Sequence, residues 1–433
     1  MKRRQFLTSS LGAGAALAIL PSSLRGGSTR NSTLQLAQIG CGRMGRGDMN
    51  TALNAGWKDE FNARIVACCD VDSARASSAG ELVKRFYEGK GERNVEVTVN
   101  GDYRELVARD DIDGFIISTP ENWHGLMGVA AANAGKHMYV QKPLTYSIPE
   151  GRALVEAVRA NQVVLQTGSQ QRSSNRFRQV CTIIRNNWLG PLQRIEVEIP
   201  TDSGRGSGEP GPPPANLDFD KWLGPCPEVP YIETRVHPES GFGRPGWLQV
   251  EAYCLGMITG WGSHMYDIAQ WGIGDEHFPV EIQSTGEFPD RGLWDVHVGY
   301  QGEARYENGV VMTSKNGDPG VRFITENGWA YSSRSMMDCS DRDLLRRSPE
   351  EGETTLYTTN HHMEDFLGSV RDGSDPVCPV EVGHRSNAIC VLHHLSMKLD
   401  GRKLHWDQEN ETVTNDEEAT RRLTIAMREP YTL

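Results

Sequence analysis

The chain has little of what builds a metal site, a disulfide scaffold or a nucleic-acid surface. Its nine cysteines include no C-x-x-C pair, so the spacing used by zinc ribbons and redox dithiols is missing, and no metal site is expected. Cys68 and Cys69 are adjacent in an apolar run, which suits core packing better than bridging; no disulfide framework is expected. Beyond residue 32 there is no Lys/Arg block, and the net charge of −12 argues against nucleic-acid or anionic-membrane partners. No internal repeat is visible. What remains is ordinary for a soluble globular protein: 38% hydrophobic and 24% charged residues. With 433 residues the chain exceeds what one core usually supports, so two domains are expected.

The first 32 residues stand apart. Met1-Lys2-Arg3-Arg4-Gln5-Phe6-Leu7 places paired arginines before a short, weakly apolar run from Leu11 to Leu20, too short for a helical span of about 20 residues. A charged head, a short apolar middle and Pro21-Ser22-Ser23 describe a secretory signal, and the twin arginines followed by Phe-Leu resemble the export signal of proteins carried folded. Residues 1–32 are therefore read as signal and arm, and a periplasmic or otherwise exported location is expected.

The densest information follows. Leu34 to Ile39 alternates like a half-buried strand and runs into Gly40-Cys41-Gly42-Arg43-Met44-Gly45, ahead of a helix-compatible segment. In a GxGxxG turn the first glycine makes the bend, the second admits a pyrophosphate, and the third lets helix and strand touch. The helix start then offers unpaired N–H groups to the anion. A second strand, Ala63 to Cys69, ends at Asp70, where a carboxylate suits both hydroxyls of an adenosine ribose and repels a 2′-phosphate. NAD is expected over NADP. The interval from Gly40 to Asp70 is long, and the polar insert Asn54 to Glu60 accounts for it.

Strands and helices alternate to residue 166: helix Asp72–Tyr87 with Asp72 as N-cap, strand 95–99, helix Asp102–Ala108, strand Gly114–Ser118, helix Trp123–Asn133, strand His137–Val140, helix Ile148–Ala160 and strand Val163–Gln166. This alternation implies a doubly wound parallel sheet. The pattern then changes. Leu192–Ile199 reads as a strand, 201–215 as a Gly/Pro-rich loop, and from Pro279 the chain reads as hairpins over 280–288, 294–301, 303–313 and 321–332. Asn-Gly pairs at 308, 316 and 327 are hairpin-turn signals. The predicted fold is α/β: a dinucleotide-binding domain over 33–166 and an α+β domain over 167–433 with a large open, mostly antiparallel sheet.

Four further segments carry chemistry. Ser118-Thr119-Pro120-Glu121-Asn122-Trp123-His124 lies at the carboxyl end of a parallel strand, the edge where ligands bind, and places Thr119, Pro120, Asn122 and His124 within reach of the cofactor. Gln141-Lys142-Pro143 follows the next strand at the same edge. A lysine desolvated against a nicotinamide would have a lowered pKa and could relay a hydroxyl proton. Residues 167–176 are densely polar; Gln170, Arg172 and Asn175 suit a polyhydroxylated ligand, while Ser173 or Ser174 also suits a helix cap. In Gly260-Trp261-Gly262-Ser263-His264-Met265-Tyr266-Asp267, His264 and Asp267 share a helix face, so a histidine backed by a carboxylate could take the hydroxyl proton.

Taken in this order, the glycine turn, Asp70, the Ser-Thr-Pro segment, the Lys-Pro pair and the Gly-x-His-x-x-Asp segment resemble the Gfo/Idh/MocA oxidoreductases over nearly the whole mature chain. Gly168 to Arg172 and Phe219-Asp220-Lys221-Trp222-Leu223-Gly224-Pro225 resemble exported members still more. The resemblance implies a Rossmann domain joined to an α/β domain whose open sheet often mediates homo-oligomers, a nicotinamide cofactor, and a sugar, polyol or related substrate. It makes Lys142 and His264 the catalytic pair, with Asp267 beside them. It implies cofactor contacts from Gly40, Gly42, Arg43, Met44, Gly45, Asp70, Thr119, Pro120, Asn122, His124, Gln141 and Lys142, and substrate contacts from Gln170, Arg172, Asn175, Trp222 and Tyr266. Two departures stand out. Many members have Glu before the lysine, where this chain has Gln141, and many have Asp four residues before the histidine, where it has Gly260. A proton relay must then lose a carboxylate or borrow Asp267 or Glu251. Dehydrogenation of a sugar CH–OH, redox-neutral cleavage of a glycoside through a transient keto-sugar, and sugar binding without turnover are the three readings, the last disfavoured by Lys142 and His264.

Overall fold

The computed structural model describes residues 32–433, residue 203 excepted, so the twin-arginine segment lies outside the described residues. The first half is a parallel sheet of β1 (Leu34–Ile39), β2 (Ala63–Cys69), β3 (Thr98–Asn100), β4 (Gly114–Ile117), β5 (His137–Val140) and β6 (Leu165–Thr167). Its strand order is β3-β2-β1-β4-β5-β6, every neighbouring pair being parallel. Between the strands run α1 (Arg43–Gly56), α2 (Ser73–Gly89), α3 (Tyr103–Val107), α4 (Glu121–Asn133) and α5 (Ile148–Ala160). The central strands are buried on both faces, as parallel strands covered by helices must be: all four residues of β4 are buried. Helix starts are made by local side chains. Asp72 accepts from the N–H groups of Ala74 and Arg75, Asp102 from Arg104 and Ser147 from Glu150. The winding reverses between β1 and β4, which opens a crevice at their carboxyl ends.

The second half comprises α6 (Asn175–Arg185), β7 (Leu192–Ile199), α7 (Phe219–Leu223), α8 (Met257–Gly260), α9 (Gly262–Ile273), β8 (Pro279–Glu287), β9 (Gly299–Tyr306), β10 (Val311–Asn316), β11 (Gly320–Thr325), β12 (Gly328–Ser333), β13 (Met337–Cys339), α10 (His362–Asp372), α11 (Val380–Lys398), β14 (Leu404–Asp407), β15 (Thr412–Val413) and α12 (Glu417–Arg422). Nine strands form one mixed sheet, β13-β12-β11-β7-β10-β9-β8-β14-β15, antiparallel except that β7 and β10 are parallel. Along β7, Ile195, Val197 and Ile199 enter the core, while Arg194, Glu196 and Glu198 alternate to the other face. Helix α9 is buried along its whole length, as a helix enclosed between a sheet and other helices requires.

The runs 303–313 and 321–332 fold as the hairpins expected of them: Gly309 takes φ +87° between β9 and β10, and residues 326–327 separate β11 from β12. The strand predicted from Trp294 begins only at Gly299. Packing also ignores the division at residue 166. Met363, Phe366 and Leu367 of α10 share a core with Met49 and Tyr139 of the first domain, and Tyr431 meets Trp123 edge to face at 5.3 Å. All nine cysteines are buried as free thiols.

Candidate active site

A cleft of about 570 Å³ lies along the carboxyl ends of β1, β4 and β5, within the size range of cofactor and substrate sites. At one end is the glycine turn, and its three glycines have three different reasons. Gly40 has φ +83°, and a Cβ there would stand 2.6 Å from the Ser118 carbonyl oxygen. A Cβ on Gly45 would stand 1.8 Å from the Gly40 carbonyl oxygen, so helix and strand meet only through hydrogen. At Gly42 the nearest atom to such a Cβ is Arg75 Nη1 at 3.6 Å; that space is a cradle a side chain would fill. Gly42 is also the N-cap of α1 and supplies no capping side chain, leaving the first-turn N–H groups for an anion. Asp70 closes this end. One carboxylate oxygen accepts from Cys41 N–H at 2.7 Å and the other from Asp72 N–H at 2.9 Å, which aims a carboxylate with spare lone pairs along the cleft wall. These features fit the pyrophosphate and ribose of NAD. Arg43 and Met44 are exposed at the mouth, and Thr119, Pro120, Gln141 and Trp222 line the wall.

At the other end stands Lys142, after β5. Its Nζ donates to the Gly260 carbonyl oxygen at 2.8 Å, so the backbone of Gly260 holds the amino group. Burial pushes the Lys142 pKa down and the Arg334 charge adds to this; Glu121 is the strongest influence in the other direction. Gln141 is not idle. Its amide N donates to both oxygens of Asp48 at 3.0 Å, and Ser118 donates to the same group at 2.8 Å. The carboxylate missing at position 141 is thus supplied from α1, with its pKa raised to about 6 by burial.

His264 also lines the cleft, in the first turn of α9. The amide of Gln171 satisfies both its neighbours only with its oxygen toward Arg334, accepting at 3.1 and 3.2 Å, and its nitrogen toward His264 Nδ1, at 2.5 Å. This choice decides the tautomer: Nδ1 accepts, so the neutral ring carries its proton on Nε2. Burial, with Lys142 and Arg334 nearby, keeps the His264 pKa well below its ordinary value. Glu121 is the carboxyl group of this region. It lines the cleft, is buried, and accepts from Cys254 Sγ at 2.9 Å and Thr259 Oγ1 at 3.1 Å; burial raises its pKa to about 7.

Several expected roles are corrected. Asp267 does not back His264: it is enclosed with Arg172, whose Nε donates to it at 2.9 Å, and Arg172 also reaches Asp275. Neither Arg172 nor Asp267 lines the cleft, since each is consumed in neutralising the other. Glu251 is bound by His394 and Lys398 and also lies off the cleft. Asn122 donates to Cys226 Sγ at 3.2 Å and the Leu223 carbonyl, tying α4 to the second domain. Both nitrogens of His124 face carbonyls, Pro143 at 2.7 Å and Thr119 at 3.0 Å, so its ring braces two loops although it borders the cleft. Tyr266 is fully buried and stacked on His393, and Asn175 is exposed away from the cleft. Gln170 does line the cleft, anchored to the Tyr139 hydroxyl at 2.8 Å. Sequence reasoning passed over Glu121, Gln171, Trp261 and Arg334. The first three sit inside segments it quoted, but a first-turn glutamate reads as a dipole partner and Gln171 as one polar residue among many.

A doubly wound sheet with a glycine cradle and a basic, partly buried far end defines the class of nicotinamide-dependent oxidoreductase folds. Residues 34–169 match the "oxidoreductase family, NAD-binding Rossmann fold", and residues 201–433 match the "oxidoreductase family, C-terminal alpha/beta domain". The chain belongs to the Gfo/Idh/MocA oxidoreductase family. Among curated relatives, the oxidoreductase YrbE of Bacillus subtilis is 29% identical over 161 residues, covering 37% of this chain and 41% of its own. A glycosyl hydrolase family 109 protein of Shewanella woodyi is 31% identical over 135 residues, covering 31% and 27%. The chain thus matches less than half the length of either. Among solved structures, the WlbA dehydrogenase of Bordetella pertussis in complex with NADH and UDP-GlcNAcA superposes with a TM-score of 0.63 at 15% identity, covering 87% of this chain and 99% of its own. Levoglucosan dehydrogenase with NADH and levoglucosan gives 0.61 at 15%, covering 86% and 99%. Among the described residues, no helix is long and apolar enough to cross a membrane.

Proposed function

We propose that this protein is an NAD-dependent oxidoreductase acting on a CH–OH group of a sugar, polyol or glycoside. The observation that carries this reading is the convergence of Lys142, His264 and Glu121 on one end of the cleft whose other end is the glycine cradle. Bound NAD supplies the acceptor for the hydride leaving the carbinol carbon. Lys142, desolvated and tethered through one N–H to Gly260, takes the hydroxyl proton as a neutral amine and becomes the ammonium. His264, with its proton on Nε2, donates a hydrogen bond to the substrate oxygen instead of removing its proton. Thr119, Gln141 and Trp222 bound the space and exclude water. Support comes from the family, from the NADH-bound dehydrogenases with this fold, and from their sugar ligands.

A second reading, redox-neutral cleavage of a glycoside through a transient keto-sugar, is favoured by Glu121. A carboxyl group with a pKa near 7 is an additional acid–base group beyond what hydride transfer needs, and relatives include glycosyl hydrolase family 109 proteins. Release of reduced cofactor separates the two. We further place the homo-oligomer contact on the polar outer face of the nine-stranded sheet. The test is substitution: Lys142→Ala and His264→Ala should each leave NAD binding nearly intact and cut turnover by about 10²–10⁴-fold. Retention of most activity by His264→Ala would return that residue to a packing role.

A further inference from the structure

Most cations along the cleft are spoken for: Arg75 lies beside Asp72, Arg104 pairs with Asp102, Lys221 with Asp218 and Arg244 with Asp202. Arg334 is not. It sits on the turn between β12 and β13, lines the same end of the cleft as Lys142 and His264, and has no carboxylate within ion-pair distance among the described residues. Yet it is held in place. Its guanidinium lies 4.4 Å over the Trp261 ring, and the Arg176 guanidinium donates to its carbonyl oxygen at 3.3 Å, securing the turn. Gln171 accepts from Nε and Nη2, which occupies one edge of the guanidinium plane. An arginine has five N–H donors in a rigid fork; three remain, and two of them, one on each Nη, form the Nη1/Nη2 edge. That edge matches an oxyanion in a two-point contact.

This anion is not the cofactor's pyrophosphate. The phosphate cradle follows β1, whereas Lys142 follows β5, two strands further along the sheet, about 10 Å away at ordinary strand spacing. Two cations, Lys142 and Arg334, thus share the far end of the cleft, where the carboxyl group lining it, Glu121, has a pKa raised to about 7 by burial, and Asp48 behind Gln141 one raised to about 6.

We propose that Arg334 anchors an anionic substituent of the substrate, so that the cleft takes acidic sugars, carrying a carboxylate or a sulfate ester, in preference to their neutral counterparts. This rests on the reading of the cleft as a sugar site. The test is titration calorimetry on the NAD-loaded full chain with D-glucuronate, D-galacturonate and D-galactose 6-sulfate, each against its parent hexose. At least one acid should bind about tenfold or more tightly than its parent, a difference of about 1.4 kcal/mol. Preference for the uronates identifies a carboxylate, and preference for the ester identifies sulfate. In Arg334→Met, which keeps an apolar side chain on Trp261, the acid-to-neutral ratio should fall to about one, and in Arg334→Lys to an intermediate value. Retained NAD verifies that both variants are folded. Equal binding of acids and hexoses by the unaltered protein, failure of every acid to bind, or an unchanged ratio in Arg334→Met overturns the proposal. Because the readout is binding, it is separable from the function above: acids held through Arg334 without reduction of NAD would sink hydride transfer alone, and reduction of NAD by neutral sugars without preference would sink the anion site alone.

Discussion

At the scale of single residues, the site replaces side chains with backbone and with distant partners. Gly260 lacks a carboxylate but gives Lys142 its carbonyl, and Gln141 lacks one but binds Asp48. Glu121 then becomes the carboxyl group that sets the charge on Lys142. Its ionised form favours the ammonium, so removing it makes the amine easier to deprotonate. Glu121→Gln should therefore move the rising limb of the pH profile for alcohol oxidation to lower pH, and should abolish any separate ionisation near pH 7. Measured kcat/KM profiles check this, and a limb that stays in place would remove Glu121 from the relay. A proton on Nε2 of His264 likewise depends on Gln171, itself oriented by Arg334.

At the scale of elements, two local devices make separate predictions. In the turn between β1 and α1, a methyl group at position 45 would meet backbone at 1.8 Å, whereas one at position 42 would enter open space. Gly45→Ala should fail to fold or lose its bound cofactor altogether. Gly42→Ala should fold with a near-normal Tm but bind NAD at least tenfold more weakly, read by calorimetry. Within α9, Asp267 belongs to a buried ion pair, with side-chain exposures of 2% for Arg172 and 0% for Asp267. Asp267→Ala leaves the buried guanidinium to Asp275 alone and should cost stability, at or below the lower end of about 3–5 kcal/mol for breaking a buried pair, seen as a drop in Tm. Were Asp267 a proton relay, the same substitution would lower kcat and leave Tm in place. The strand and helix alternation of the first domain was legible from apolar runs and caps such as Asp72, because both are local. The hairpin turns at Asn308-Gly309 and Asn327-Gly328 were legible too, from the same kind of local signal, whereas the start of β9 at Gly299 was not.

At the scale of the whole molecule, the second half of the chain completes the first. Helix α10 closes the core of the parallel sheet, and the C-terminal Arg428 and Tyr431 lie against α7 and α4. A dinucleotide in the cleft would therefore meet residues of both halves, Asp70 from the first and Trp222 and Arg244 from the second. Combined with the twin-arginine reading of the first residues, this leads us to propose export of a folded protein already carrying its cofactor. Protein purified from the periplasm should then retain near-stoichiometric NAD through gel filtration. Protein that emerges empty and turns over only with added NAD would refute the retention.

The amino-acid sequence by itself determined the glycine turn, the acidic residue after the second strand, the parallel doubly wound sheet and the placement of Lys142 at its ligand edge. Each depends on stereochemistry or periodicity within a few residues. Only the tertiary structure decided what the polar side chains do. Gln141 meets Asp48 across 93 positions, Arg172 meets Asp267 across 95, and Lys142 meets Gly260 across 118. Whether Asp267 or Glu121 serves the cleft was a question of which carboxyl group another cation had already neutralised. Arg334, set on a turn of the distant sheet, offered no local sign that it would face the cleft. Burial and charge pairing are set by packing at long sequence range, and no local pattern encodes them.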